Sequence, residues 1–198
     1  GDLQATAFYT GFAQDMSTGV GLGVKLPTGD DKGPTGPLGG AEFDRDTLPG
    51  TGSTDLVVAG YHVGSFGKDT PFSYFLQARY QLAVATHDRY RPGDEFDAAA
   101  GVTYSFGRAA AFDKVAPVLA ILDSYRLHDS GAESDPLNTG YERVLIAPGL
   151  DLRLNRLHLY GDVEFPVYQN VNAAPVPADT SGQLVASPLY KVRIAYDF

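Results

Sequence analysis

The chain contains neither cysteine nor tryptophan, and only one methionine occurs among its 198 residues. The absence of cysteine excludes a disulfide framework, thiolate metal ligands and cysteine catalysis. It is also compatible with an oxidising compartment, where a free thiol would be a liability. No apolar run of about eighteen residues occurs, which excludes a transmembrane helix. Membrane-spanning β-strands are only half apolar, so this absence does not exclude a membrane.

Positive charge is scarce as well, because the formal net charge is −9. An acidic surface repels a phosphate backbone, so we expect no nucleic-acid partner. Abundant residues are glycine, proline, tyrosine and phenylalanine, with 23, 13, 12 and 11 copies. This composition indicates short strands, turns and aromatic belts. The length suits one domain over residues 1–198.

The last ten residues alternate without a break. The apolar face of this segment carries Tyr190, Val192, Ile194, Tyr196 and Phe198, and the opposite face carries Lys191, Arg193 and Asp197. A period of two predicts a strand, and about ten residues are enough to cross a bilayer. The ending resembles the C-terminal strand of bacterial outer-membrane barrels, which implies that Tyr196 and Phe198 are read by the barrel-assembly machinery. Taken alone, the segment also fits a strand of a soluble β-sandwich.

Eight further segments have strand character. The nine predicted strands span residues 3–12, 19–26, 54–66, 72–84, 95–106, 115–127, 141–154, 157–168 and 189–198. Short connections follow the odd-numbered strands and long polar connections follow the even-numbered ones. This segregation is typical of outer-membrane barrels, which have short periplasmic turns and long external loops. The fold class we predict is therefore all-β, an antiparallel transmembrane β-barrel in a Gram-negative outer membrane.

The odd number of strands has a topological consequence. Bacterial single-chain barrels have an even number of strands and place both termini in the periplasm. If Phe198 lies in the periplasm, Gly1 lies at the external end. We therefore expect a 10- or 12-stranded barrel from which this chain lacks one or more N-terminal strands. The alternative is an eight-stranded barrel in which residues 3–12 form an N-terminal tail.

The predicted lumen face carries charges of both signs. In strand 8 this face comprises His158, Tyr160, Asp162, Glu164 and Tyr168. Pairing of strands 8 and 9 should place Asp162 and Glu164 near Lys191 and Arg193. The candidate lumen and selectivity residues are Arg79, Asp151, Arg153, His158, Asp162, Glu164, Lys191 and Arg193. They could form a structural ion-pair network that fills the lumen or a charged constriction in a pore.

Two histidine–aspartate pairs are the candidates for catalysis. His87-Asp88 and His128-Asp129 both begin long loops, so both are expected at the same rim. No G-x-S-x-G motif accompanies them, and their spacing matches no zinc signature. Acidic loop residues could bind calcium but show no EF-hand spacing; they are Asp30, Asp31, Asp44, Asp46, Asp129, Glu133 and Asp135. We predict solvated loops, no enzyme activity, no metal and no cofactor.

Several short motifs resemble a known family. They are Gly1-Asp2-Leu3-Gln4, the segment 21–30 (GLGVKLPTGD), the segment 49–55 (PGTGSTD), Ala147-Pro148-Gly149-Leu150 and the segment 165–172 (FPVYQNVN). In this order they resemble the outer-membrane proteins grouped as the MetA-pathway phenol-degradation or transporter-like family. In 49–55, Thr51-Gly52 departs from the family's Gly-Ser-Gly. The family usually has further strands before its GDL motif.

The resemblance implies a channel-like barrel for passive passage of small molecules, including hydrophobic or aromatic ones. The second hypothesis is a structural or accessory barrel with a filled lumen that docks other envelope proteins. A rim enzyme that uses the His–Asp pairs is the third. The expected partners are membrane lipids, lipopolysaccharide and the barrel-assembly machinery. No substrate follows from the residues themselves.

Overall fold

The computed structural model describes residues 1–32, 48–109, 111–172 and 185–198, and within them every regular element is a β-strand. The strands are β1 Leu3–Tyr9, β2 Thr18–Leu26, β3 Thr54–Ser65, β4 Phe72–Ala85, β5 Glu95–Tyr104, β6 Lys114–Arg126, β7 Tyr141–Leu154, β8 Leu157–Val171 and β9 Leu189–Tyr196. They form one antiparallel meander in the order β1 to β9. Among the described residues, no helix has the length and apolar character needed to cross a bilayer.

All nine predicted strands are therefore present. The boundaries differ by up to three residues: β8 continues to Val171 rather than ending at residue 168, and β1 ends at Tyr9 rather than residue 12. There the Tyr9 and Phe12 rings meet edge-on at 5.0 Å as the chain turns. The connections after β1, β3, β5 and β7 lie at one end of the sheet, here called the short-turn end. Those after β2, β4, β6 and β8 lie at the other, the long-loop end.

The two faces of the sheet differ in exposure. Large apolar side chains such as Leu22, Leu76 and Ile194 cover one face and are exposed. The opposite face holds the buried small apolar residues, which are Val57, Ala83, Ala99, Ala116, Val118, Ala120, Leu145 and Ala147. Residues from β3 through β9 on this second face line a common cavity. The sheet is therefore curved, with a concave face that is partly buried and a convex face that is apolar and exposed.

A bulge in β8 changes which residues face the concave side. The register between β7 and β8 shifts between Val144 and Leu145, so that Val144 pairs with Tyr168. Val144 also pairs with Asp123, on the convex face. Because a bulge inserts one residue and reverses the alternation beyond it, Tyr168 lies on the convex face, 48% exposed. The prediction that Tyr168 shares a face with His158 was wrong.

The sheet is open. Within the described residues β1 pairs only with β2, and β9 pairs only with β8. In an antiparallel meander all odd-numbered strands run in the same direction, so β1 and β9 are parallel to each other. They therefore cannot close directly onto each other as an antiparallel pair.

Candidate functional site

The concave face lines a cavity of about 540 Å³, beside which lies a second space of about 460 Å³. Its wall includes Val118, Ala120 and Leu122 from the middle of the sheet. Charged side chains lie at both ends of this apolar band. The cavity is large enough for a small organic molecule, since ligand pockets usually measure about 300–1,000 Å³.

Aromatic rings reach this face where glycines leave room for them. The ring of Phe8 lies over Gly21, where an added Cβ would be 2.8 Å from the ring. Phe8 also contacts the ring of Tyr61, with 6.0 Å between centroids. A side chain at Gly21 would displace Phe8, so the glycine permits inward-facing aromatic surface on β1 to β3.

A buried charged cluster lies at the long-loop end of the concave face. Lys25 Nζ is 2.7 Å from Asp55 Oδ2 and 3.2 Å from Asp2 Oδ2. It also donates to the hydroxyls of Thr51 and Ser53. Lys25 is 7% exposed and Asp55 is 2% exposed. Because every charge in this loop-end cluster (Asp2, Lys25, Thr51, Ser53 and Asp55) has partners, the cluster holds its charges in fixed positions.

Asp2 ties the two ends of the first long loop to β1. Its carboxylate accepts hydrogen bonds from the backbone N–H of Gly29 at 2.9 Å and of Thr51 at 3.1 Å. Burial alone would raise the pKa of Asp2, but these hydrogen bonds and Lys25 outweigh it and lower the pKa to about 2. Gly29 and Gly50 cross closely there, and a Cβ on Gly29 would lie 2.7 Å from Gly50 Cα. The three motif segments 1–4, 21–30 and 49–55 thus converge on one cluster.

The predicted site residue Arg79 continues this network across the sheet. Its guanidinium is 2.9 Å from Asp97 and 3.7 Å from Glu95. It also donates to Gln81, whose amide donates to Asp55 at 2.5 Å. The network therefore runs from β2 to β5 without a gap.

Three predicted residues lie near the short-turn end. Asp151 accepts from Lys114 Nζ at 3.0 Å. Arg153 and His158 both approach the carboxylate of Asp197, at 3.7 and 3.0 Å. All these side chains are partly exposed, so the pairs contribute little to stability. Their position at the sheet end places them at the rim of the cavity.

The remaining predicted residues lie on β8 and β9. Lys191 Nζ donates to Glu164 Oε1, whereas Asp162 lies directly opposite Lys191 in the register. Arg193 does not bind a carboxylate of the described residues; its guanidinium lies 5.7 Å from the centroid of the Tyr160 ring. The structure therefore brings Asp162 and Glu164 beside Lys191 and Arg193, but only one close ion pair forms.

Sequence reasoning missed several members of these networks. Asp2, Ser53 and Asp55 were quoted as parts of motifs, but not as site residues, because their proximity depends on strand register. Lys114 was placed in a connection, although β6 begins with it. Tyr160 was placed on the correct face but given no role. The alternation of polar residues was the only local signal for it.

The two His–Asp pairs behave differently from each other. His87 lies between two carboxylates, 3.3 Å from Asp31 and 3.0 Å from Asp88. Each of these three residues offers one ligand atom, and the three atoms lie within 4.8 Å of one another. The trio could therefore hold a metal ion. Each ring nitrogen of His87 faces one of the two carboxylates, so contacts within the trio account for this geometry without a metal.

In the second pair, His128 and Asp129 bind different partners. Asp129 is buried and accepts from the Tyr90 hydroxyl at 2.5 Å, from Gly93 N at 2.7 Å and from Arg126 at 2.6 Å. Burial, with the hydrogen bond to Asp129, raises the pKa of Tyr90. His128 is exposed and contacts Asn172 instead. Asp129 thus holds two loops together. Of the other acidic loop residues, Asp44 and Asp46 lie outside the described residues.

No protein-family model, no curated protein and no solved structure matches the chain. The family resemblance of the motifs is therefore unsupported by comparison.

Proposed function

We propose that this chain forms most of the wall of an outer-membrane β-barrel and that small molecules pass passively through its interior. The observation that carries this proposal is the contrast between the faces. The convex face exposes large apolar side chains along every strand, whereas the concave face holds charged groups around a cavity. Soluble proteins rarely expose apolar patches of more than a few hundred Å², but lipid covers such a face in a barrel.

Aromatic side chains at both ends of the convex face support a membrane position. At the short-turn end, Phe72, Tyr104 and Phe106 stack edge-on in a row with centroid spacings of 4.8 Å. At the long-loop end, Tyr80 pairs with Phe96 in the register. Eight residues separate Phe96 from Tyr104, which is about 26 Å along a strand. Aromatic girdles flank an apolar band of about 25 Å in such barrels.

Closure into a complete barrel requires an additional strand. Because β1 and β9 run in the same direction, any odd number of further strands completes an antiparallel ring. One more gives ten and three more give twelve. A second copy in the same orientation cannot close the ring. Its β1 would lie parallel to β9 of the first copy, and its β9 would lie parallel to β1 of the first copy.

The apolar wall of the cavity and the motif resemblance together indicate which small molecules pass. The middle of the cavity is apolar and includes Val63, Phe75 and Leu122. The motif resemblance implies hydrophobic or aromatic molecules. We propose small molecules with an apolar body, passing between charged groups such as Arg79 at the long-loop end and Asp151 and Arg153 near the short-turn end.

The second candidate is a structural or accessory barrel that docks other envelope proteins. The continuous network from Lys25 to Asp97 favours it, because paired charges across a narrow barrel obstruct the lumen. In both cases lipids and lipopolysaccharide would contact the convex face. The barrel-assembly machinery would act on β9, where the rings of Tyr196 and Phe198 meet at 5.4 Å.

Conductance in planar bilayers separates the two candidates. A passage predicts discrete current steps, and a filled barrel predicts none. Val118→Trp adds bulk to the concave wall and should reduce the step size. The neighbouring Leu119→Trp adds the same bulk to the convex face and should leave it unchanged. Current steps that respond equally to both variants would contradict passage through this interior. Heat-modifiable migration on gels provides the control for folding.

A further inference from the structure

Two charged groups on the concave side of β8 and β9 lack an ion-pair partner in the described part of the chain. Asp162 is only 8% exposed, and its Oδ1 atom accepts no hydrogen bond there. The Tyr160 hydroxyl lies near the Asp162 carboxylate on the same strand. Arg193 lies 5.7 Å from the centroid of the same tyrosine ring. Tyr160 therefore stands between a carboxylate and a guanidinium that do not bind each other.

Neighbouring charges in the same cavity are all matched. Asp151 is paired with Lys114 at 3.0 Å, and Glu164 is paired with Lys191. The free groups are thus not a general property of this wall. A buried carboxylate oxygen without a partner is costly, since a buried unsatisfied acceptor loses its hydration. Such a group is a candidate for ligand binding.

The strand register fixes the separation of the two groups. Asp162 lies opposite Lys191, and Arg193 lies two residues further along β9 on the same face. Diagonal neighbours of this kind are about 7–8 Å apart. Both line the cavity of ≈540 Å³, whose other wall includes Phe75, Val118 and Leu122. One acceptor, one donor and an apolar wall thus border a single space.

These features select among ligand classes. An organic cation would satisfy Asp162 but approach the Arg193 guanidinium, and an anion would satisfy Arg193 but approach the carboxylate. A neutral hydrocarbon would satisfy neither. We propose that the cavity binds zwitterionic small molecules with an apolar body, such as an apolar α-amino acid. The ammonium binds Asp162, the carboxylate binds Arg193, and the body lies against the apolar wall. The proposal deepens the proposed passage by naming its ligand class, and it rests on that function only for the route.

A set of four ligands with one common body tests this proposal. Binding of L-phenylalanine, 2-phenylethylamine, 3-phenylpropanoate and ethylbenzene to the full chain in detergent micelles is measured by titration calorimetry. We expect L-phenylalanine to bind about tenfold more tightly than either singly charged analogue, from one further charge-assisted hydrogen bond. Equal affinity for all four ligands, or no binding of L-phenylalanine, would overturn the proposal.

Variants identify the groups. Asp162→Asn and Arg193→Gln should each remove the preference for the zwitterion, with a loss of about tenfold in its affinity. Asp113→Asn, which alters a carboxylate paired with Arg108 outside the cavity, is the matched control and should retain the preference. Equal losses in the variants and the control would overturn the assignment. If a variant does not fold, the comparison of ligands on the unaltered chain still decides. Calorimetry needs no conduction, so a silent bilayer with zwitterion binding would reject the passage alone.

Discussion

The long-loop end of the concave face and its β8–β9 end differ in how their buried charges are paired. At the long-loop end, Lys25 is surrounded by oxygen atoms from Asp2 and Asp55 and from two hydroxyls. On β8 and β9, Asp162 is almost as deeply buried, yet one of its oxygens has no partner among the described residues. Buried charges with complete partners fix a structure, whereas unpaired ones are open to a ligand. The first end therefore anchors a loop, and the second is suited to binding.

The largest effect is expected from breaking the loop-end cluster. Lys25→Met keeps the length of the side chain but leaves the carboxylates of Asp2 and Asp55 without their cation. Breaking a buried pair in this way costs about 3–5 kcal/mol. Urea unfolding in detergent micelles should show a loss of this size. Lys114→Met is the control, because both partners of its ion pair with Asp151 are partly exposed and the change should cost less than about 1 kcal/mol. Equal losses of unfolding free energy in the variant and the control would contradict the special stability of the loop-end cluster.

Substitution of Asp55 and of Asp162 should change the free energy of unfolding by smaller amounts and in opposite directions. Asp55→Asn disrupts bonds from Ser53, Lys25 and Gln81 and should destabilise the fold by about 2 kcal/mol. Asp162→Asn removes an incompletely bonded charge from a buried position and should be neutral or stabilise the fold by about 1 kcal/mol. The free energy of unfolding at neutral pH measures both. A loss of similar size for both variants would show that Asp162 is as fully paired as Asp55.

The smallest expected effect is a loss of folding stability at low pH. The folded-state pKa of Asp2 is about 2, below its ordinary value of 3.8. A depressed pKa stabilises the fold above the ordinary value, and this contribution is lost as pH falls from about 4 to about 2. The loss should be about 1–2 kcal/mol and absent in Asp2→Asn. Unfolding followed between pH 5 and pH 2 measures it. An identical acid response in the variant would show that Asp2 is not the group concerned.

Sequence reasoning succeeded for the features that depend on the residue pattern within a single strand. Sequence patterns located all nine strands, because most of them alternate with a period of two. The same alternation placed Arg79, Asp151 and Arg193 on one face. It failed at Tyr168, since a bulge opposite Val144 and Leu145 reverses the alternation. A bulge depends on how two strands pair, which a single strand does not reveal.

Contacts between distant segments were the part that sequence reasoning missed. Asp2, Lys25 and Thr51 are 23 and 26 residues apart along the chain, and only the register of β1, β2 and β3 brings them together. Whether a charged residue is paired likewise depends on the neighbouring strand. The alternation of β8 could not distinguish Glu164, which binds Lys191, from Asp162, whose Oδ1 has no partner among the described residues.

The assignment of the convex face to lipid can be measured directly, because the chain contains no tryptophan. Leu76→Trp and Gln77→Trp place the only tryptophan of the chain on the convex and concave faces of β4. In vesicles containing brominated lipid, we expect strong quenching of the fluorescence of Trp introduced at Leu76 and weak quenching at Gln77. Equal quenching at the two positions, or none at either, would contradict a membrane-spanning sheet with this orientation.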